Sequence, residues 1–168
     1  RDVLAPHRLA LVSGWYSGRL ARGTVDDEIA GVESHLSLLA ANGSQVMVYG
    51  EVADSIQGRP EALARRPRFR SDAQWSAYGE RVTAFAKHTL ARGVRLAYHH
   101  HMGAYVETPE DVDRMMRVTG PEVGLLHDTG HATFSGGDAP TELRKHIGRV
   151  CHVHCKDVRP GVARMARN

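Results

Sequence analysis

Cysteine is scarce in this chain, with two in 168 residues. Cys151 and Cys155 stand four apart on one predicted strand, facing away from its histidines, so they read as reduced core thiols rather than a disulfide framework. Long apolar runs are absent too. No window approaches ~18 consecutive apolar residues, and the first residues lack the charged-then-apolar pattern of a secretion signal, so a soluble, cytoplasmic protein with no membrane partner is expected. Neither charge sign dominates: 22 Lys and Arg oppose 19 Asp and Glu, an excess of 3. The basic residues concentrate at 65–70 and 159–167 without an aromatic platform, so they read as a solvated loop and a frayed terminus rather than a nucleic-acid stripe. With 42% hydrophobic residues the chain suffices for one domain, 1–168, with a sizeable core.

Apolar runs alternate with helical patterns. Residues 8–13 read as a short buried strand. A helix follows from about Val25, capped by Thr24 and ending at Gly43, with Val25, Ile29, Val32, Leu36 and Leu39 as its apolar stripe. A strand at 45–50 leads into a Pro- and Arg-rich loop through Arg70. A second helix starts near Asp72 with Trp75, Tyr78, Val82, Phe85 and Leu90 on one face, then a strand at 94–99. Thr108 caps a third helix with Pro109 at its first position and Val112, Met115 and Met116 inward. A strand ending at Asp128, a glycine-rich loop, a short helix near 140–147 and a strand at 150–155 complete the pattern. Strand and helix alternate without a hairpin signal, which predicts an α/β fold with a parallel sheet. No glycine fingerprint follows the first strand, and polar residues sit at the carboxyl ends of successive strands. That is the habit of a (β/α) barrel, of which five strands are counted where a full TIM barrel has eight.

Histidine is plentiful. Of 11 in the chain, eight fall between His99 and His154, and all of these but His146 lie at or just past the ends of three consecutive predicted strands. Side chains alternate across a strand, so His99 and His101 share one face, as do His152 and His154. Asp128 ends the strand between them, with His131 three residues on. Imidazole plus carboxylate suits Mn²⁺, Co²⁺ or Zn²⁺, and the absence of inward thiolates argues against a structural zinc knot. The expected ligands are His99, Asp128 and His154. His35, His88, His100, His127 and His146 read as ordinary hydrogen-bonded residues.

The segments Tyr98-His99-His100-His101-Met102-Gly103 with Val106-Glu107-Thr108, His127-Asp128-Thr129-Gly130-His131 and His152-Val153-His154-Cys155-Lys156-Asp157 resemble the inosose dehydratase family of the xylose isomerase-like TIM barrels. So do Val12-Ser13-Gly14-Trp15 and Val48-Tyr49-Gly50-Glu51. The resemblance implies strands three to seven of the barrel and a divalent metal on Asp128 and His154, with His131 touching substrate. It implies a last glutamate ligand on the eighth strand, beyond Asn168, so the stretch alone is expected to bind metal weakly and to be inactive. Two departures stand out. His99 replaces the glutamate that the superfamily's epimerases carry, and Ala104 stands where a threonine is expected.

The implied reaction is dehydration of 2-keto-myo-inositol (scyllo-inosose) to a trihydroxycyclohexane-dione in myo-inositol catabolism, a hydro-lyase activity. His131 and Lys156 are the candidates for proton transfer, Lys156 having a solvated pair with Asp157 as its alternative. His101, Glu107, Glu51 and Trp15 are the candidates for lining the substrate pocket. Glutathione enters as a cofactor through the resemblance alone. The expected partner is a small polyol or cyclitol rather than nucleic acid, with a homo-oligomer left open. Competing readings are a sugar or hydroxypyruvate isomerase or epimerase on the same barrel, an abasic-site endonuclease, and a non-catalytic sugar-binding module.

Overall fold

Five parallel strands lie side by side in the order of the chain: β1 (Gly14–Gly18), β2 (Val46–Glu51), β3 (Arg95–His99), β4 (Gly124–Asp128) and β5 (Val150–His154). The computed structural model describes residues 3–167, with side chains through 165; residues 1, 2 and 168 of the expected domain lie outside it. Between the strands run α1 (Val25–Ala41), α2 (Asp72–Ala91), α3 (Pro109–Val118), α4 (Thr129–Phe134) and α5 (Ala139–His146), and α6 (Pro160–Arg167) follows β5. This parallel sheet with helices is the architecture of a (β/α) barrel over five of its strands. No helix among the described residues is long and apolar enough to cross a membrane.

Local chemistry sets the helix starts. Thr24 accepts the Asp27 N–H, Ser71 that of Gln74, and Thr108 that of Asp111. At α3 the Asp111 carboxylate reaches back to the Thr108 N–H, closing a capping box behind Pro109. The helix-facing side of the sheet supplies Met47, Tyr49, Leu96, Tyr98 and Leu125 to the main core, where they meet Val32, Leu36, Trp75, Tyr78, Phe85 and Met115. The opposite side carries only a small apolar group, Val48, Ala97 and Leu126.

Several boundaries differ from the sequence reading. The first strand is Gly14–Gly18 rather than 8–13, and Leu9 and Val12 are exposed. Two glycines of β1 are packing requirements: a Cβ on Gly18 would lie 2.0 Å from the Tyr49 ring, and one on Gly14 2.9 Å from Leu39. The expected glycine-rich loop after Asp128 is helix α4, which starts at Thr129 with Asp128 as its N-cap. Leu90 is 44% exposed rather than inward. Residues 63–65 form a 3₁₀ turn within the long Arg-rich loop. Beyond Arg159, where fraying is expected, the chain forms α6.

The cysteines depart as well. The β4–β5 register shifts between Leu125 and Leu126, so that Leu125 pairs with Val150 and Leu126 with His152. That bulge turns Cys151 toward Val48, Ala97 and Leu126 instead of the helices, and Cys155 is exposed. Both thiols are free.

Candidate functional site

Paired residues on neighbouring parallel strands share a face, so register determines which side chains meet. Gly50 pairs with His99 and with Ser17, His99 with Leu126, Leu126 with His152, and Asp128 with His154. His99, Asp128, His152 and His154 therefore stand on one face at the carboxyl ends of β3, β4 and β5. Trp15 lies on the same face and meets the His99 ring edge-on at 5.5 Å, over Gly50, where a Cβ would lie 2.2 Å from the indole.

The Asp128 carboxylate is fully buried and divides its two oxygens between two tasks. Oδ1 accepts the Gly130 and His131 N–H groups, both at 3.0 Å, which caps α4 and fixes the direction of the carboxylate. Oδ2 accepts from His99 Nε2 at 3.1 Å and from Lys156 Nζ, and His154 Nδ1 lies 3.3 Å away. Burial pushes the Asp128 pKa up, but the hydrogen bonds from His99 and Lys156 outweigh it and hold the group well below the usual carboxylate range. Asp128 is an anion at the focus of three nitrogens.

Burial keeps His99 and His131 neutral. Burial lowers the pKa of His99, with partial compensation from Asp128, and since a carboxylate only accepts, the His99 proton sits on Nε2. The buried His99 Nδ1 has no hydrogen-bond partner. His131 is pushed down to about 2 by burial and then by His101, whose ring packs against it at 3.9 Å with planes tilted by 46°. His101 Nδ1 bonds the Met102 carbonyl at 2.9 Å, and the Met102 N–H approaches His131 Nδ1 at 3.4 Å. A cavity of about 290 Å³ opens beside the cluster, lined by Met102, His131, Phe134, Lys156 and Val162. Helix α6 supplies part of its wall.

This set of atoms fits a divalent cation. Single ligand atoms of His99, Asp128 and His131 lie within 4.8 Å of one another, and Asp128 Oδ2 is close to both His99 and His154. The orphaned, buried Nδ1 atoms of His99 and His154 are donors awaiting a partner.

Two expected pocket residues do not reach the cluster. Glu51 pairs with Gly18, one residue out of phase with Gly50, so it faces the helices. There it accepts from the Ala21 and Ala53 N–H groups and the Tyr49 and Tyr78 hydroxyls, and burial pushes its pKa up to about 7 despite these donors. Glu107 turns back into its own loop, accepting the Gly103 N–H at 2.6 Å with Arg66 3.7 Å away. Lys156 faces Asp128 rather than forming a solvated pair with Asp157. His88 and His146 pair with Glu33 and Asp113, as ordinary hydrogen-bonded residues do. Sequence reasoning passed over Arg66, the anchor of the β3–α3 segment. Its buried guanidinium binds the Ala104 and Tyr105 carbonyls and Asp111, and the only sequence signal was its place in an arginine run.

Residues 4–167 match the family model described as "Xylose isomerase-like TIM barrel". The chain is 47% identical over 171 residues to the rhizopine catabolism protein MocC of Rhizobium meliloti, covering 99% of this chain and 51% of that protein. It is 35% identical to an inosose dehydratase of Geobacillus thermodenitrificans, covering 99% of this chain and 57% of the relative. The chain thus spans about half the length of the curated relatives it matches. Among solved structures, one described as the "probable 3-DHS dehydratase AsbF" of Bacillus anthracis superposes with a TM-score of 0.74 at 13% identity, covering 96% of this chain and 56% of that one.

Proposed function

Because the chain belongs to the xylose isomerase-like TIM barrel family, we propose that it contributes the active site of a metal-dependent hydro-lyase that dehydrates 2-keto-myo-inositol to a trihydroxycyclohexane-dione. The observation that carries this reading is the convergence of His99, His154 and Lys156 on Asp128 Oδ2, with His131 alongside. The similarity to a protein named inosose dehydratase supports the choice of substrate.

His99, Asp128 and His154 would hold a divalent cation. When bound, such an ion supplies Lewis acidity, favouring the negative charge that develops on the ketone oxygen as the neighbouring C–H is lost. Mn²⁺ and Co²⁺ suit this nitrogen and oxygen set, with Zn²⁺ as the alternative.

The remaining work falls to two side chains. His131, which lines the cavity beside the cluster, takes the proton from the carbon next to the ketone. The C–H electron pair forms a C=C bond as the C–O bond to the adjacent hydroxyl breaks. Lys156 gives that hydroxyl a proton, so one water leaves, and the enol relaxes to the second ketone. The proton on His131 then returns to Lys156, restoring both groups. Lys156 is positioned for this by its contact with the Asp128 carboxylate. Trp15, partly exposed beside His99, offers an aromatic face suited to the C–H groups of a sugar ring.

An isomerase or epimerase reading is less well supported, because the two glutamates nearest the strand ends are both engaged elsewhere. Glu51 lies on the helix face and Glu107 bonds its own loop. The test is mass spectrometry of products from 2-keto-myo-inositol with the full-length protein, before and after chelation. Loss of 18 mass units, abolished by chelator and restored by Mn²⁺ or Co²⁺, is the expected result. Unchanged mass with a rearranged carbonyl would replace dehydration by isomerisation, and chelator-resistant turnover would remove the metal.

A further inference from the structure

The arginine run at 65–70 has no part in the chemistry above, yet the fold does not leave it in solvent as a simple loop. It folds over the end of β3–α3 and, with Arg22 from the β1–α1 loop, lines a groove of about 910 Å³. A second lobe of about 310 Å³ shares Arg22, Arg68, Phe69, Arg70 and Tyr105 and adds Arg81. The floor is aromatic: Phe69 stacks on Tyr105 at 4.3 Å with planes 18° apart and packs against Trp75 and Tyr78. The run therefore has the aromatic platform that its sequence did not reveal.

Charge in the groove is unbalanced. Arg22 is matched by Asp54 at 2.6 Å, and Arg66 by Asp111. Arg81 donates to the Leu20 carbonyl, which leaves its charge uncompensated. Among the described residues no carboxylate lies within ion-pair distance of Arg65, Arg68 or Arg70. Six guanidiniums thus meet three carboxylates, Asp54, Asp111 and Glu107, leaving three positive charges. Keeping them together costs repulsion that an anion would relieve. Arginine forks match phosphoryl oxygens bidentately. Buried Arg66 binds the Ala104 and Tyr105 carbonyls, so the wall carrying Tyr105 is held in place before any ligand arrives.

We propose that this groove binds the phosphoryl group of a small-molecule phosphate ester, with Arg65, Arg68 and Arg70 on the phosphoryl oxygens and the ligand's carbon skeleton against Phe69 and Tyr105. The site is separate from the Asp128 cluster, since none of the residues lining it lies in that cluster. It stands independently of the dehydratase reading.

Calorimetric titration of the full-length protein with inorganic phosphate, and then with glycerol phosphate, at constant ionic strength tests it. Saturable binding of both is expected, weakened about tenfold or more in the double variant Arg68→Gln/Arg70→Gln and unchanged in Arg117→Gln on α3. Should the double variant fail to give the circular dichroism of the parent, Arg65→Gln alone, an exposed side chain, is expected to weaken phosphate about threefold. Absence of saturable heat, or equal binding by parent and variants, overturns the proposal. Tighter binding of duplex DNA than of glycerol phosphate, lost in the same variants, also overturns it, by making the groove a nucleic-acid surface.

Discussion

Thr129 and Lys156 hold each other by a reciprocal pair of hydrogen bonds: the Thr129 hydroxyl accepts the Lys156 N–H and donates to the Lys156 carbonyl, both at 2.8 Å. One side chain at the first turn of α4 thereby fixes the backbone of the segment after β5, from which Lys156 Nζ reaches Asp128.

Replacing that hydroxyl isolates its contribution. Thr129→Val keeps the shape and removes both bonds, each worth about 1 kcal/mol. The expected outcome is a kcat about tenfold lower, with Mn²⁺ affinity within about threefold of the parent because no ligand is touched. Steady-state kinetics and metal titration on the same preparation check the split.

Asp128→Asn separates capping from ligation. Asparagine caps helices as well as aspartate, so α4 and the fold should persist. The variant loses the anion that His99, His154 and Lys156 surround. Metal affinity is expected to fall at least about 100-fold and dehydration to become undetectable, with circular dichroism unchanged.

Much of this cluster is legible in the sequence because strand alternation is a strict geometric rule. His99 and His154 stand at ends of predicted strands, and Asp128 ends the one between them. Where the same rule was not applied, the reading missed. Glu51 also ends a strand, but Gly50 is the residue in phase with His99, so the carboxylate one position later faces the helices. Other features carry no local signal. The β5 bulge that turns Cys151 inward depends on pairing with β4, and the strand role of Gly14 and Gly18 depends on Leu39 and Tyr49 filling the space beside them. Asp128-Thr129-Gly130 looks like a turn until the carboxylate is seen capping a helix. Helices α1 and α3 are plain from their caps and apolar faces, and α2 from its apolar face.

Glu51 gives a stability term with a defined direction. Its pKa is raised in the folded state, from 4.5 to about 7, so folding favours the protonated acid. The contribution is complete below about pH 4.5 and is lost as pH rises through 7, amounting to about 3 kcal/mol over the window. Urea midpoints of the parent should fall between pH 5 and pH 8. Glu51→Gln should flatten that difference; a variant as pH-sensitive as the parent would assign the slope to another group.

Arg66 is a structural counterpart to these site residues. Its guanidinium is 2% exposed and paired with Asp111. Arg66→Ala leaves the Ala104 and Tyr105 carbonyls without their donor and Asp111 without its cation, and is expected to destabilise the fold by about 3 kcal/mol. Because Asp111 also closes the α3 capping box, the Arg66→Ala/Asp111→Ala double variant should not regain stability but should lose less than the sum of the two single variants, which denaturation of all three would show.

Strand order and chain order coincide throughout the sheet, with one consequence for how the protein is made. Each new strand joins the edge left by its predecessor, so a growing chain can add layers as it leaves the ribosome. The cluster draws on the last three of the five strands and on Lys156 just past them. His99, Asp128 and His154 are all in place just before Lys156, so a growing chain gains the proposed acid only after the proposed ligands.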